Sequence, residues 1–168
     1  AMNHGADGIR INPGNIPREG IRKIVRAARR CGKVIRIGIN AGSLEKKIAA
    51  RHGGPTAEAL VESALASIRL LESMDFGAIK LSLKSSDVAT TIEAYRLMAR
   101  RSDYPLHLGV TEAGTLLQAA VKSAIGIGTL LYDGIGDTIR VSVTGDPVQE
   151  LGVAYSILRA LKIREVGP

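Results

Sequence analysis

The sequence predicts an α/β fold of five β-then-α units that form part of a (β/α)₈ barrel. Five short apolar segments carry a polar or cationic side chain at every second position, and a stretch with helical spacing follows each of them. Such alternation predicts a parallel sheet. An open doubly wound sheet would bury both faces of its strands, whereas a barrel turns one face toward its lumen. The polar side chains on one face of each segment favour the barrel. Strands are predicted at 8–12, 34–40, 78–84, 106–112 and 138–144.

Capping residues mark the first helices. Pro17 begins the helix after the first strand, and Gly32 ends it. The connection 41–55 is predicted to contain a short helix, 44–51, before Thr56 caps a longer helix that ends near Glu72.

The later helices have similar signals. Ser86 or Asp87 is predicted to cap the helix that ends near Arg101. Gly114 opens the next one, and Asp146-Pro147 opens the last, with a capping side chain followed by proline. A complete barrel needs eight units and roughly 250 residues, so residues 1–168 are predicted to form an incomplete one.

Composition limits the classes of function. The net charge is +7, which raises nucleic acid as a partner, but aromatic residues make up only 3% and leave few surfaces for base stacking. An anionic small molecule therefore fits better than nucleic acid. No apolar run approaches the roughly 18 residues that span a bilayer. The lone Cys31 excludes an internal disulfide and favours a cytoplasmic protein.

Cations on the polar strand faces predict an anion-binding site. On three strands an arginine is followed, on the same face, by a neutral hydrogen-bonding residue: Arg10 with Asn12, Arg36 with Asn40, and Arg140 with Ser142. Guanidinium groups beside amides and a hydroxyl suit a phosphate or diphosphate. We expect these side chains to converge on one interior hollow. The alternative is a set of Arg–Glu pairs inside a barrel core.

Two further strands supply candidate reactive groups. Lys84, near a strand end, is assigned to the phosphate site or, alternatively, to a Schiff base, whereas Lys80 suits a deeper structural layer. Glu112, beside Thr111, is the one carboxylate of the predicted strands and suits general acid–base catalysis, an ion pair or a helix cap. His107 is interpreted as a hydrogen-bonded residue, since no second histidine or cysteine stands at ligand spacing.

Six segments, taken in order, resemble one family. They read IRINPGN (9–15), RIGINAGSLE (36–45), KSSDV (84–88), GVTEAG (109–114), VKSAIGIG (121–128) and GIGDTIRVS (134–142). Together they resemble the hydroxymethylbutenyl diphosphate synthases of the non-mevalonate isoprenoid pathway. The resemblance covers essentially the whole chain.

The resemblance implies a function and a cofactor. Members of this family reductively open 2-C-methyl-D-erythritol 2,4-cyclodiphosphate to 4-hydroxy-3-methylbut-2-enyl diphosphate. They use a [4Fe–4S] cluster and electrons from ferredoxin or flavodoxin.

The resemblance also implies roles for residues of this chain. Thr111 and Glu112 would lie at the reacting carbons, with Glu112 donating a proton to the departing hydroxyl. The residues that would bind the diphosphate are Arg10, Asn12, Arg36, Asn40, Lys84, Arg140 and Ser142.

The same resemblance implies that this chain is one part of a longer parent protein. This chain would correspond to barrel strands four to eight. The first three strands and a C-terminal domain with the cluster ligands would be absent. We therefore expect this chain to bind no metal, to be inactive alone, and to associate as a homodimer that covers open strand edges. The competing interpretation is another phosphate-binding barrel, either a Schiff-base aldolase using Lys84 or a pterin-type transferase.

Overall fold

A computed structural model describes residues 1–165 of the chain; the last three residues of the predicted barrel segment, 166–168, lie outside the described residues. Strands and helices alternate along the sequence. The chain divides into two compact units, Ala1–Leu83 and Lys84–Pro168.

The first unit contains a three-stranded sheet of order β1-β2-β3. Its elements in chain order are β1 (Gly8–Ile11), α1 (Arg18–Cys31), β2 (Val34–Asn40), α2 (Lys46–Arg51), α3 (Ala57–Glu72) and β3 (Ile79–Lys84), whose last residue is the first of the second unit. Short 3₁₀ turns follow β1, at Pro13–Asn15, and β2, at Ala41–Ser43. The β1–β2 pair is parallel, as predicted.

The apolar strand face and the helices form the core of this unit. Ile35, Ile37 and Ile39 of β2 are buried, and so are four of the six residues of β3. Helix α1 buries Ile21, Val25 and Ala28, the stripe expected for a 3.6-residue period. The alternation in the sequence thus predicted correctly that the apolar strand residues form the core of this unit.

The second unit has two shorter strands and three helices in its described part. They are α4 (Val88–Ala99), β4 (His107–Leu108), α5 (Leu116–Tyr132), β5 (Thr138–Ile139) and α6 (Val148–Ala160). Strands β4 and β5 are parallel, with His107 opposite Thr138. The Tyr95 hydroxyl donates to the His107 carbonyl oxygen (2.6 Å), which ties α4 to β4. No helix among residues 1–165 is long and apolar enough to cross a membrane.

The predicted extents of the last two strands are wrong. Strand pairing continues past β4 and β5 through the Arg140 N–H, which donates to the Leu108 carbonyl oxygen (2.9 Å). Glu112 then has φ +50, which a strand cannot accommodate. The following residues form loops, joined by a hydrogen bond from the Thr144 N–H to the Gly114 carbonyl oxygen (2.9 Å). Thr111, Glu112 and the residues after Arg140 are therefore loop residues at the strand ends.

Helix caps agree closely with the sequence. Gly32 ends α1 with φ 60, and the Thr56 hydroxyl accepts from the Ala59 N–H (3.3 Å) at the start of α3. At α5 the cap is Thr115, in a capping box with Gln118, one residue beyond the predicted Gly114. The ends of these helices are thus determined mainly by capping residues close to them in the sequence.

Asp87 is the cap of α4, and its loss is expected to lower stability. Its carboxylate accepts from the Thr90 N–H (2.7 Å), and this hydrogen bond lowers the pKa of Asp87 below 3.8. Asp87→Ala should cost about 1 kcal/mol of unfolding free energy at pH 7.

The same cap should have a defined pH dependence. Because the folded-state pKa is the lower one, the contribution is complete above about pH 5 and is lost as the pH falls below 4. Urea unfolding of Asp87→Ala and the wild-type protein at pH 7 and pH 3 tests this. An undiminished difference between them at pH 3 would contradict the assignment.

Candidate functional site

The first unit places four predicted site residues along β1 and β2 or just after them. Arg10 and Arg36 are direct partners in the parallel register. Asn12 follows the end of β1, and Asn40 ends β2. Arg10 is exposed, and the other three are half-buried. We call these residues the unit 1 cluster.

Hydrogen bonds fix two members of this cluster. The Arg10 Nη2 donates to the Gly38 carbonyl oxygen (2.7 Å). The Asn12 Nδ2 donates to the Ser43 Oγ (3.2 Å), and that hydroxyl donates to the Asn40 carbonyl oxygen (3.4 Å). Ser43 therefore joins the loop after β2 to the residue after β1.

The unit 1 cluster leaves hydrogen-bonding capacity for a ligand. The Asn12 Oδ1 is buried and has no partner among the described residues, a costly arrangement in a folded protein. Arg10 has no carboxylate within ion-pair distance among those residues, although it stands opposite another arginine. Like charges at opposed positions of a sheet destabilise it. An anion would relieve the second cost, whereas the Asn12 Oδ1, an acceptor, requires a hydrogen-bond donor such as a ligand hydroxyl.

The second unit gathers Lys84, Thr111, Glu112, Arg140 and Ser142, which we call the unit 2 cluster. Gly109, just after β4, shows how close two of them lie. A Cβ built on Gly109 would stand 2.5 Å from the Lys84 Nζ and 2.7 Å from the Arg140 carbonyl oxygen. The Lys84 ammonium and the Arg140 backbone therefore meet over this glycine.

The loops after β4 and β5 carry the remaining members. The Thr111 N–H donates to the Ser85 carbonyl oxygen (3.1 Å), which joins the loop after β4 to the one after β3. Glu112 is exposed, whereas Thr111 and Ser142 are half-buried. The bond from Thr144 to Gly114 links the loops that carry Glu112 and Ser142.

Arg140 has a carboxylate partner that the sequence-based interpretation did not identify. Its Nε lies 3.4 Å from the Glu150 Oε2, and the Glu150 Oε1 accepts from the Val143 N–H (3.2 Å). Glu150, on α6, thus fixes both the guanidinium and the loop 140–143. The two terminal amino groups of Arg140 make no hydrogen bond within the described residues, so both can donate to a ligand.

Two other residues with structural roles at the site were also missed. Glu45, before α2, accepts from the Ser63 hydroxyl (2.7 Å), and a Cβ on Gly14 would collide with its carboxylate. Glu45 and Ser43 both lie in the string RIGINAGSLE, so they were visible in the sequence. Spacing alone gave no reason to single them out. His107 is hydrogen-bonded, as expected: its Nδ1 lies 2.8 Å from the Thr138 Oγ1.

The residues of this chain do not fit an iron–sulfur cluster. Such clusters are held by cysteine thiolates, usually four, and the sequence contains one cysteine, Cys31, on α1. Within the described residues no three His, Cys, Asp or Glu side chains are grouped as metal ligands. The two clusters instead carry guanidinium, ammonium, amide and hydroxyl groups, whose donors suit an anion.

Comparison with known proteins gives close relatives. The chain is 62% identical over 168 residues to a protein of Caldanaerobacter subterraneus subsp. tengcongensis named 4-hydroxy-3-methylbut-2-en-1-yl diphosphate synthase (flavodoxin), a match that covers 99% of this chain and 47% of the relative. Proteins of the same name from Geobacter sulfurreducens and Nitratidesulfovibrio vulgaris are 57% and 56% identical, over 97% and 100% of this chain and 46% and 44% of theirs.

The chain thus spans about half the length of the curated relatives it matches. A family model described as the GcpE TIM-barrel domain matches residues 1–155. This match includes every residue of both clusters, and it agrees with the alternation of helices and parallel strands. The chain therefore belongs to the GcpE TIM-barrel domain family.

Proposed function

We propose that this chain is the substrate-binding barrel part of an enzyme that reductively opens 2-C-methyl-D-erythritol 2,4-cyclodiphosphate to 4-hydroxy-3-methylbut-2-enyl diphosphate. The residues that bind the diphosphate are Arg10, Asn12, Arg36, Asn40, Lys84, Arg140 and Ser142. The names of the relatives support this reaction and favour it over an aldolase or a pterin-type transferase.

The observation that carries the proposal is the pair of opposed arginines on β1 and β2. Arg10 and Arg36 stand opposite each other in the parallel register, and Arg10 has no carboxylate partner among the described residues. A diphosphate offers Arg10 a negatively charged partner, and its oxygens can accept hydrogen bonds from both guanidinium groups. The unsatisfied Asn12 Oδ1 can accept a hydrogen bond from a hydroxyl of the ligand.

The unit 2 cluster supplies the remaining cations and the acid. The Lys84 ammonium and the unoccupied terminal amino groups of Arg140 bind phosphate oxygens, and Ser142 adds a hydroxyl. Glu112 donates a proton to the departing hydroxyl, and Thr111 lies beside the reacting carbons. The exposed position of Glu112 in a loop at a strand end suits this role, since catalytic groups of such barrels come from those loops.

The parent enzyme supplies what these residues do not. We propose that its [4Fe–4S] cluster, which would supply the electrons, is held by ligands outside this chain. Flavodoxin is the donor that the names of the relatives support, with ferredoxin as the alternative. On this proposal the chain provides barrel strands four to eight and is inactive alone.

Two further expectations complete the proposal. We propose that this chain associates as a homodimer, since β1 pairs with β2 alone among the described residues and an uncovered strand edge favours association. We also propose that it acts in the cytoplasm, on a small anionic substrate and without nucleic acid or membrane partners.

Calorimetric titration with the cyclodiphosphate tests the proposed site. We expect saturable binding by the wild-type chain and a loss of about tenfold or more in Arg140→Ala, because a charge-assisted hydrogen bond contributes about 1.5–3 kcal/mol. Arg159→Ala, on the exposed part of α6, removes the same charge and should change the affinity less than twofold. Equal losses in both variants, or no saturable binding, would overturn the proposal. Borohydride trapping of Lys84 with a carbonyl substrate would instead favour the aldolase.

A further inference from the structure

Gly38 occupies an unusual place for a glycine, the middle of the central strand β2. It lies between the buried Ile37 and Ile39, on the face that also carries Arg36 and Asn40. Glycine weakens a strand interior because it adds backbone entropy and packs no side chain. Gly38 is absent from the glycines with positive φ, so backbone conformation does not require it.

A glycine is needed at position 38 because the Arg10 side chain occupies the space that a Cβ would fill. A Cβ built on Gly38 would collide with the Arg10 Nε and would stand 3.0 Å from both the Cγ and the Cζ of that side chain. The Arg10 side chain therefore lies flat across β2, and its Nη2 donates to the Gly38 carbonyl oxygen (2.7 Å). Gly38 thus provides both the room and the hydrogen-bond acceptor that fix the guanidinium.

The same relation recurs in the second unit. Gly109 leaves room for the Lys84 Nζ, which would be 2.5 Å from a Cβ there. In both units a glycine in or just after one strand accommodates a cation from an earlier strand. The two cases differ in one useful respect: a Cβ on Gly109 would also approach the Arg140 carbonyl oxygen (2.7 Å), whereas the three closest atoms at Gly38 all belong to the Arg10 side chain. Gly38 can therefore be substituted with little direct strain on the backbone.

We propose that Gly38 is a positioning residue of the anion site, whose missing side chain holds the Arg10 guanidinium across β2 and orients its remaining N–H groups for a phosphate oxygen. This inference rests on the proposed function, because it gives the held guanidinium an anionic ligand. An arginine fixed before the ligand arrives loses less side-chain freedom on binding than a mobile one. Gly38 thereby acts on affinity without touching the ligand.

A double-mutant cycle on the full chain, with pyrophosphate as the ligand, tests the inference. The variants are Gly38→Ala, Arg10→Ala and the double variant, with Gly42→Ala as the control, since a Cβ on Gly42 meets no atom within 4 Å. We expect Gly38→Ala to weaken pyrophosphate binding about tenfold, the scale of one charge-assisted hydrogen bond. Since Gly38 acts through Arg10, the double variant should bind no more weakly than Arg10→Ala alone. Gly42→Ala should bind like the wild-type protein.

A second measurement separates this inference from the proposed function. The Arg10 ¹Hε–¹⁵Nε resonance, assigned from its loss in Arg10→Ala, should shift strongly in Gly38→Ala and stay in place in Gly42→Ala. Wild-type affinity in Gly38→Ala, or a double variant clearly weaker than Arg10→Ala, would overturn the positioning role. An unchanged Arg10 resonance in Gly38→Ala would overturn it as well. Failure of the wild-type protein to bind pyrophosphate would instead refute the proposed anion site, even if the Arg10 resonance shifted as expected.

Discussion

Replacing Glu112 by Gln is expected to lower kcat by about 10²–10⁴-fold, the usual contribution of a positioned general acid or base. The assay requires holoenzyme of the relatives' length that contains this chain. Gln keeps the shape and the hydrogen-bonding reach of the side chain but cannot donate the acidic proton to the leaving hydroxyl. Because the diphosphate contacts stay intact, KM should change less than threefold, the mark of a group that acts in the transition state.

A matched variant separates this role from a general effect of charge. Glu93 is an exposed carboxylate on α4, and Glu93→Gln should leave kcat within twofold of the wild-type value. If Glu112→Gln retained more than half of the activity, the carboxylate would not be the proton donor. An equal fall in both variants would also contradict the assignment.

The backbone at Glu112 allows a second, independent check. Its φ of +50 is the left-handed conformation, which costs a residue with a side chain about 1–2 kcal/mol. Glu112→Gly should therefore raise the unfolding free energy by about 1 kcal/mol while abolishing turnover. Urea unfolding measures the first effect. A gain in stability with a loss of activity indicates that the strain is retained for function, whereas a loss of both would indicate a structural carboxylate.

Replacing Arg36 by Met should weaken binding of the cyclodiphosphate by about 10- to 150-fold, since each charge-assisted hydrogen bond contributes about 1.5–3 kcal/mol. Met keeps much of the side-chain volume and removes the charge and the donors. Arg36 lies directly opposite Arg10, so its removal also relieves the repulsion between them. The loss of affinity should appear in a variant that is still folded, as its urea unfolding transition shows. Calorimetry and urea unfolding on the same preparations measure both.

Arg22→Met is the control for this prediction. Arg22 is exposed on α1 of the same unit, and its loss changes the net charge by the same amount. Its effect on affinity should be less than twofold at 0.15 M salt, where charges beyond about 8 Å are largely screened. Comparable losses in the two variants would mean that the overall positive charge, rather than a defined contact, attracts the ligand.

Local signals predicted most of the first unit. Strand β2 was predicted at 34–40 and is observed at Val34–Asn40, because three isoleucines alternate with polar or small residues. Thr56 begins α3, and Gly32 ends α1, because capping depends on a few neighbouring residues. Close approach of another side chain at Gly38 could also have been predicted, since an isolated glycine inside a strand pattern indicates it.

The second unit was harder to predict because its loops depend on contacts distant in sequence. The alternation in 106–112 and 138–144 suggested long strands, yet β4 and β5 contain two residues each. The bond from Thr144 to Gly114 and the left-handed Glu112 stop the pairing, and neither follows from side-chain periodicity. The ion pair of Arg140 with Glu150 was missed for the same reason, since it depends on where α6 packs.

A crystal structure of the chain with bound cyclodiphosphate tests the central claim most directly. We expect phosphate oxygens about 2.7–2.9 Å from guanidinium nitrogens of Arg10, Arg36 and Arg140 and from the Lys84 ammonium, the length of charge-assisted hydrogen bonds. A ligand bound away from these side chains would contradict it, as would arginines that keep only protein partners at saturating ligand.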